Sequence, residues 1–191
     1  MVGEKPAFGS ICAKAPINGN EKKDQVFSRI SKIYKLTDGF AFCPRGCNLC
    51  EEMENLLLLP HEDKFIARTR GKLETIAFEK RRFGVCWEQV NQPCPMLKRD
   101  GSCAIYSTRP FDCRSFPIVP KFLLKQSRVE FFLANVAYCP AKEMFSTEFI
   151  STTMQCWLDV IQFLPDKWQK RYNHLNRRSY EEGKFLGTQE L

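Results

Sequence analysis

With 191 residues, 43% of them apolar and 13% aromatic, the chain can bury a core without covalent staples. Ten cysteines are too sparse for a small disulfide scaffold, Glu4 and Lys5 interrupt the N-terminus where a signal peptide needs an apolar run, and no apolar stretch nears the ~18 residues of a membrane span. A soluble, cytoplasmic protein with reduced thiols is expected, and its net charge of +7 lacks the basic stripe interleaved with aromatics that would point to nucleic acid.

Residues 1–24 mix Gly, Pro, Asn and Lys without periodicity and are expected to form a flexible arm. Val26, Ile30 and Ile33 stand at helical spacing and predict a helix over Val26–Leu36, broken at Thr37-Asp38-Gly39. Asn55–Leu59 suggests a short buried strand, and Pro60 followed by Glu62 and Asp63 suits a helix start running to about Arg70. Seven basic residues crowd Lys64–Arg82, a stretch fit to dock an acidic partner protein or protein substrate. Leu73–Phe78 and Phe83–Trp87 are candidate paired strands, and Lys98-Arg99-Asp100-Gly101 is a hairpin signal between Pro95-Met96-Leu97 and Cys103–Tyr106. A second hairpin is expected from Phe122–Lys125 and Val129–Val136 across Gln126-Ser127-Arg128. Ile150, Met154, Trp157, Ile161, Leu164 and Trp168 step by fours and threes along a C-terminal helical segment, 141–176, which Pro165 kinks or restarts. Residues 177–191 read as a polar tail.

The cysteines carry the chemistry. Cys43, Cys47 and Cys50 share eight residues, C-P-R-G-C-N-L-C, and Cys94, Cys103 and Cys113 return some fifty residues later. Thiols two or three residues apart converge on one ion or cluster, whereas a disulfide between such neighbours closes little chain. Pro44 and Gly46 allow the tight turn this requires. Soft thiolates select zinc or iron–sulfur over magnesium or calcium. His61 and His174 are the chain's two histidines and neither has a partner at zinc spacing, which leaves the ligation to sulfur. C-x3-C-x2-C is also the spacing of radical S-adenosylmethionine enzymes, but 141 residues after Cys50 are too few for their barrel.

The later elements read Cys94-Pro95-Met96-Leu97, Cys103-x-Ile105-Tyr106 and Arg109-Pro110-x-x-Cys113-Arg114-x-Phe116-Pro117. In this order they resemble the signature of the YkgJ-type cysteine-cluster family, described as a zinc- or iron-chelating domain. The resemblance spans roughly Cys43–Cys139. It implies Cys43, Cys47, Cys50, Cys94, Cys103 and Cys113 as ligands, with Cys139 as a further member. Where the family pattern has a second cysteine after Cys50, this chain has Glu51, which would place an oxygen at the site or reduce its metal count. Arg109 and Arg114 flank Cys113 and either donate to thiolates, or cap the turn made by Pro110 and Pro117, or pair with Glu51 or Glu52. Tyr106 either orients a substrate or packs at the end of a strand. Cys12 and the helix-borne Cys156 are expected to stand apart from the site, and Cys86 is undecided.

Seven thiols exceed what one tetrahedral zinc or one cubane can use, and a chain this apolar needs no pair of zincs to fold. The first expectation is therefore a 4Fe–4S centre serving redox or protein side-chain modification, with a structural zinc or a metal-carrier role as the alternative. Over its cysteine motif the family also resembles the flagellin lysine N-methylases, which implies a third possibility, a protein lysine N-methylase-like enzyme. The expected fold is α+β, with a cysteine-cluster domain over 25–140 whose small sheet and metal-binding loops pack against the C-terminal helix.

Overall fold

The computed structural model describes residues 23–40, 56–69, 78–81, 86–89, 98–135 and 145–191. It has the expected α+β architecture, with a three-stranded antiparallel sheet against helices. Helix α1 (Lys23–Asp38) covers the predicted span and ends at Gly39. Val26, Ile30 and Ile33, with Tyr34, are its buried face and pack toward α2 (Glu62–Thr69) and toward α4 (Thr147–Ile161). Leu57, Leu58 and Leu59 are fully buried ahead of α2, but they form no strand beyond a single bridge at Leu57. β1 (Phe78–Arg81) and β2 (Cys86–Gln89) pair antiparallel and share Phe78 and Cys86-Trp87 with the two predicted segments, the rest of which lies outside the described residues.

The Lys98–Gly101 turn is present, with Gly101 at φ 75° and the Ser102 N–H and hydroxyl both donating to Asp100 Oδ1. Its downstream flank is not the expected hairpin arm. Cys103 makes one bridge, and the chain then enters a 3-10 turn at Tyr106–Thr108 and the short helix α3 (Phe111–Ser115).

The sheet's order is β3-β4-β5, built from β3 (Ile118–Leu123), β4 (Arg128–Leu133) and β5 (Lys184–Glu190). The β3–β4 hairpin is the predicted one, but β3 starts four residues early and contains Pro120. Proline, which cannot donate to a ladder, is tolerated at a sheet edge. Side chains complete that edge here. Asn173 accepts from the Phe122 N–H and donates to the Phe122 carbonyl, at 2.9 and 2.8 Å, and the Tyr180 hydroxyl donates to the Pro120 carbonyl at 2.9 Å.

Residues 177–191 correct the expectation of a tail, since they form α6 (Arg177–Glu182) and β5, which adds to β4. An edge strand is held by backbone bonds, so it can be polar and leave little hydrophobic pattern. The turn between them requires Gly183, because a Cβ there would collide with the carbonyl oxygens of Ser179 and Leu133.

The C-terminal helical segment breaks before Pro165, giving α4 and α5 (Asp166–Leu175). Ser146 caps α4, its hydroxyl accepting from the Phe149 N–H at 3.1 Å. The buried stripe of α4 is Phe149, Thr153, Cys156, Trp157, Val160 and Ile161, rotated from the predicted one so that Ile150 and Met154 are only partly buried. Trp157, Trp168, Tyr172, Phe111 and Phe122 form the aromatic centre, with Trp157 4.8 Å from Phe111 and Trp168 stacked on Tyr172 at 5.0 Å between centroids. Cys156 is fully buried there, and burial pushes its thiol up to about 12, as expected of a packing residue.

Thr153 Oγ1 and Trp157 Nε1 are buried one helical turn apart with no hydrogen-bond partner among the described residues. Thr153→Val, which keeps the shape and removes the hydroxyl, is expected to raise stability by about 1 kcal/mol in urea unfolding. A loss of stability would show that the hydroxyl is satisfied in solution.

Candidate metal centre

Two buried carboxylates organise the ground on which the described cysteines stand. Glu62 is fully buried at the first turn of α2. It accepts from the Tyr34 hydroxyl (2.8 Å) and the Phe111 N–H (2.7 Å) on Oε1, and from the Leu59 N–H (2.8 Å) on Oε2. Asp112 accepts from the Leu57 N–H at 3.3 Å and from the Tyr172 hydroxyl at 2.9 Å. The Trp168 indole N–H donates to the Leu58 carbonyl at 2.9 Å. Three successive leucines that follow the first cysteine block in sequence are thus tied to α3, α2 and α5. Burial raises the Glu62 carboxyl to about 7 against its three hydrogen bonds, and raises Asp112 to about 6.

Cys113 lies on α3, half-buried, directly after Asp112. The hydroxyl pKa values of Tyr34 and Tyr172 are raised well above normal, first by burial and then by the adjoining carboxylates, with the Cys113 thiolate adding to both. Cys113 therefore stands near both tyrosines. Cys103 is half-buried against the edge of the core.

Arg114 joins the stretch between these two cysteines to α1. Its Nε donates to the Arg109 carbonyl (2.8 Å), Nη2 to the Ser107 carbonyl (2.9 Å) and Nη1 to Asp38 Oδ1 (2.6 Å), and its guanidinium lies 4.3 Å from the Tyr34 ring centroid. Of the two roles open to it in the sequence, turn-capping is the one its contacts display, with Asp38 as its acidic partner. Arg109 differs. Its guanidinium lies 4.0 Å from the Tyr106 ring centroid, and its Nε is buried with no partner among the described residues. Tyr106 packs against this arginine from a 3-10 turn, not from the end of a strand.

Cys43, Cys47, Cys50, Cys94 and Cys139 lie outside the described residues, as do Glu51, Glu52 and Cys12, and of Cys86 only the backbone is described. Among the described residues no three His, Cys, Asp or Glu side chains group as metal ligands. What is described fits a thiolate-bound metal in two respects. Cys103 and Cys113 bracket in sequence the stretch whose Ser107 and Arg109 carbonyls Arg114 holds, and the orphaned Arg109 N–H between them is a donor suited to an anionic acceptor.

A family model, CxxCxxCC, described as "Putative zinc- or iron-chelating domain", matches residues 42–140, just over half of the chain. The chain belongs to this family. No curated protein and no solved structure matches it. The CxxCxxCC match takes in all seven candidate ligands and excludes Cys12 and Cys156, which supports metal binding without fixing zinc or iron. It also takes in Glu62 and Asp112. In the sequence Glu62 looks like an ordinary first-turn carboxylate, and Asp112 falls between Pro110 and Cys113 with nothing to mark it. No helix among the described residues is long and apolar enough to cross a membrane.

Proposed function

We propose that the chain holds a thiolate-ligated metal centre drawn from Cys43, Cys47, Cys50, Cys94, Cys103, Cys113 and Cys139, an iron–sulfur centre of the 4Fe–4S type ahead of zinc. We further propose that it serves redox chemistry or modification of a protein side chain. The observation that carries this reading is the frame around Cys113. It is held by Glu62, Asp112, Arg114 and an aromatic core, all protein contacts. A metal added to such a frame is not required to assemble it, which favours a working centre over a structural zinc.

When bound, an iron–sulfur centre supplies one-electron chemistry. The chain's own part is to hold Cys113 on α3, near the buried Tyr34 and Tyr172, and Cys103 at the core edge, and to fix the stretch between them through Arg114. Exposed Lys64 and Arg68 on α2 suit an acidic protein surface as the partner or substrate.

The test is metal and acid-labile sulfide content of protein purified without oxygen, alongside Cys113→Ser. Iron with comparable sulfide is expected, with most of both lost in the variant while its metal-free stability stays within about 1 kcal/mol. Zinc without sulfide would rule out the cluster, and no metal at all would rule out the centre.

A further inference from the structure

The two arginines around Cys113 are held so differently that they cannot share a role. Arg114 is almost fully buried and places three donors on Arg109, Ser107 and Asp38 within the chain. Arg109 has its guanidinium over the Tyr106 ring, 4.0 Å from the centroid, its carbonyl taken by Arg114, and its Nε–H buried with no acceptor among the described residues. A buried, charged N–H left unpaired is costly, more so than a neutral one, and the Tyr106 ring face offers the cation attraction without relieving that donor.

We propose that the Arg109 guanidinium, positioned by Tyr106, donates its Nε–H to the negatively charged metal–thiolate centre that includes Cys103 and Cys113, while Arg114 holds the turn and does not touch the centre. The inference rests on the metal centre proposed above. Sequence position and backbone anchoring favour the assignment. Arg109 lies between the two cysteines in sequence, Arg114 anchors the Arg109 carbonyl, and the adjoining Pro110 fixes its own φ at −57°, so the backbone from which the side chain leaves is fixed. Donors to metal-bound sulfur tighten the bound state by offsetting thiolate charge, and loss of such a partner lowers metal affinity about 10–100-fold.

The experiment uses the full-length chain, metal-free and reduced, with zinc as the probe in competition with a chromophoric chelator and with urea unfolding measured in parallel. Arg109→Gln is expected to bind zinc about 10–100-fold more weakly while the metal-free urea midpoint is unchanged or raised, because an orphaned donor has been removed. Arg109→Lys is expected to recover part of the affinity, since it keeps a cation without the planar fork. Arg114→Gln should show the converse, a lowered metal-free urea midpoint. Zinc binding by Arg109→Gln equal to that of the unmodified chain would overturn the proposal, as would a fall in its metal-free midpoint equal to that of Arg114→Gln. If the unmodified chain binds no zinc and no iron, the metal centre itself fails and this assignment with it.

Discussion

Glu62→Ala is expected to destabilise the chain by about 4 kcal/mol, a large part of the 5–15 kcal/mol that holds a typical domain together. The carboxylate is fully buried and accepts from the Tyr34 hydroxyl, the Leu59 N–H and the Phe111 N–H. Its removal strands three donors at about 1–3 kcal/mol each, partly relieved where Tyr34 can turn. It also unties α1, α2 and α3 at one point. Glu62→Gln is the finer variant, because an amide placed there turns an N–H toward at least one of these donors.

The same site gives a pH dependence of definite sign. Burial holds the folded Glu62 carboxyl at about 7, above the ordinary 4.5, with Asp112 raising it further; the groups facing it are Tyr34 from α1 and Asp112 from α3. Between these two values the folded chain keeps a proton that the unfolded chain has released. The contribution of this group is therefore fully present below about pH 4.5 and is lost as pH rises through about 7, a change on the order of 3 kcal/mol. Tyr34 accommodates the protonated acid, since its hydroxyl alone among the partners can accept as well as donate. Urea unfolding at pH 5, 6, 7 and 8 should show a fall in stability that is flattened in Glu62→Gln. Equal slopes in both proteins would mean that Glu62 is ionised throughout.

The periodic parts of the chain were the legible parts. Val26, Ile30 and Ile33 announce α1 because one face of a helix must be apolar to pack, and Pro165 announces the break between α4 and α5. The buried stripe on α4 still lies one step away from the expected one, because Thr153 and Cys156 sit in the core while the more apolar Ile150 and Met154 reach only its margin. Hydropathy ranks residues, whereas packing ranks positions. β3 starts ahead of the predicted Phe122 and takes in Pro120, which is admitted by Asn173 and Tyr180, side chains more than fifty residues on that complete the edge. β5 leaves little hydrophobic pattern in the sequence because Lys184–Glu190 is held by backbone pairing with β4, a bond that carries no side-chain signature.

The candidate site divides in the same way. Thiols announce a metal by their spacing, so the family is legible at once. Carboxylates do not announce burial. Glu62 and Asp112 look solvent-facing in a linear reading, and become internal only when Leu57, Leu59 and Phe111 bring their N–H groups to them from other segments. The arginines carried the least information in sequence, since a guanidinium beside a cysteine serves a thiolate or a carbonyl equally well. What separates Arg109 from Arg114 is which acceptors already lie within reach.

Trp157→Ala is expected to cost about 4 kcal/mol, and Trp157→Phe about 1 kcal/mol or less. The indole is almost completely buried, and its neighbours Phe111, Phe122, Trp168 and Tyr172 come from α3, β3 and α5, so no single element can move to fill the space that alanine leaves. Phenylalanine keeps most of that ring contact and deletes an Nε1–H that has no partner among the described residues, so the lost volume is offset by relief of an unsatisfied donor. Urea unfolding of the two variants separates packing from hydrogen bonding at this position. If Trp157→Phe were as costly as Trp157→Ala, the indole N–H would have to be satisfied in solution. If instead both were mild, the aromatic centre would not be what holds α3, and the support for Cys113 would have to come from Glu62, Asp112 and Arg114.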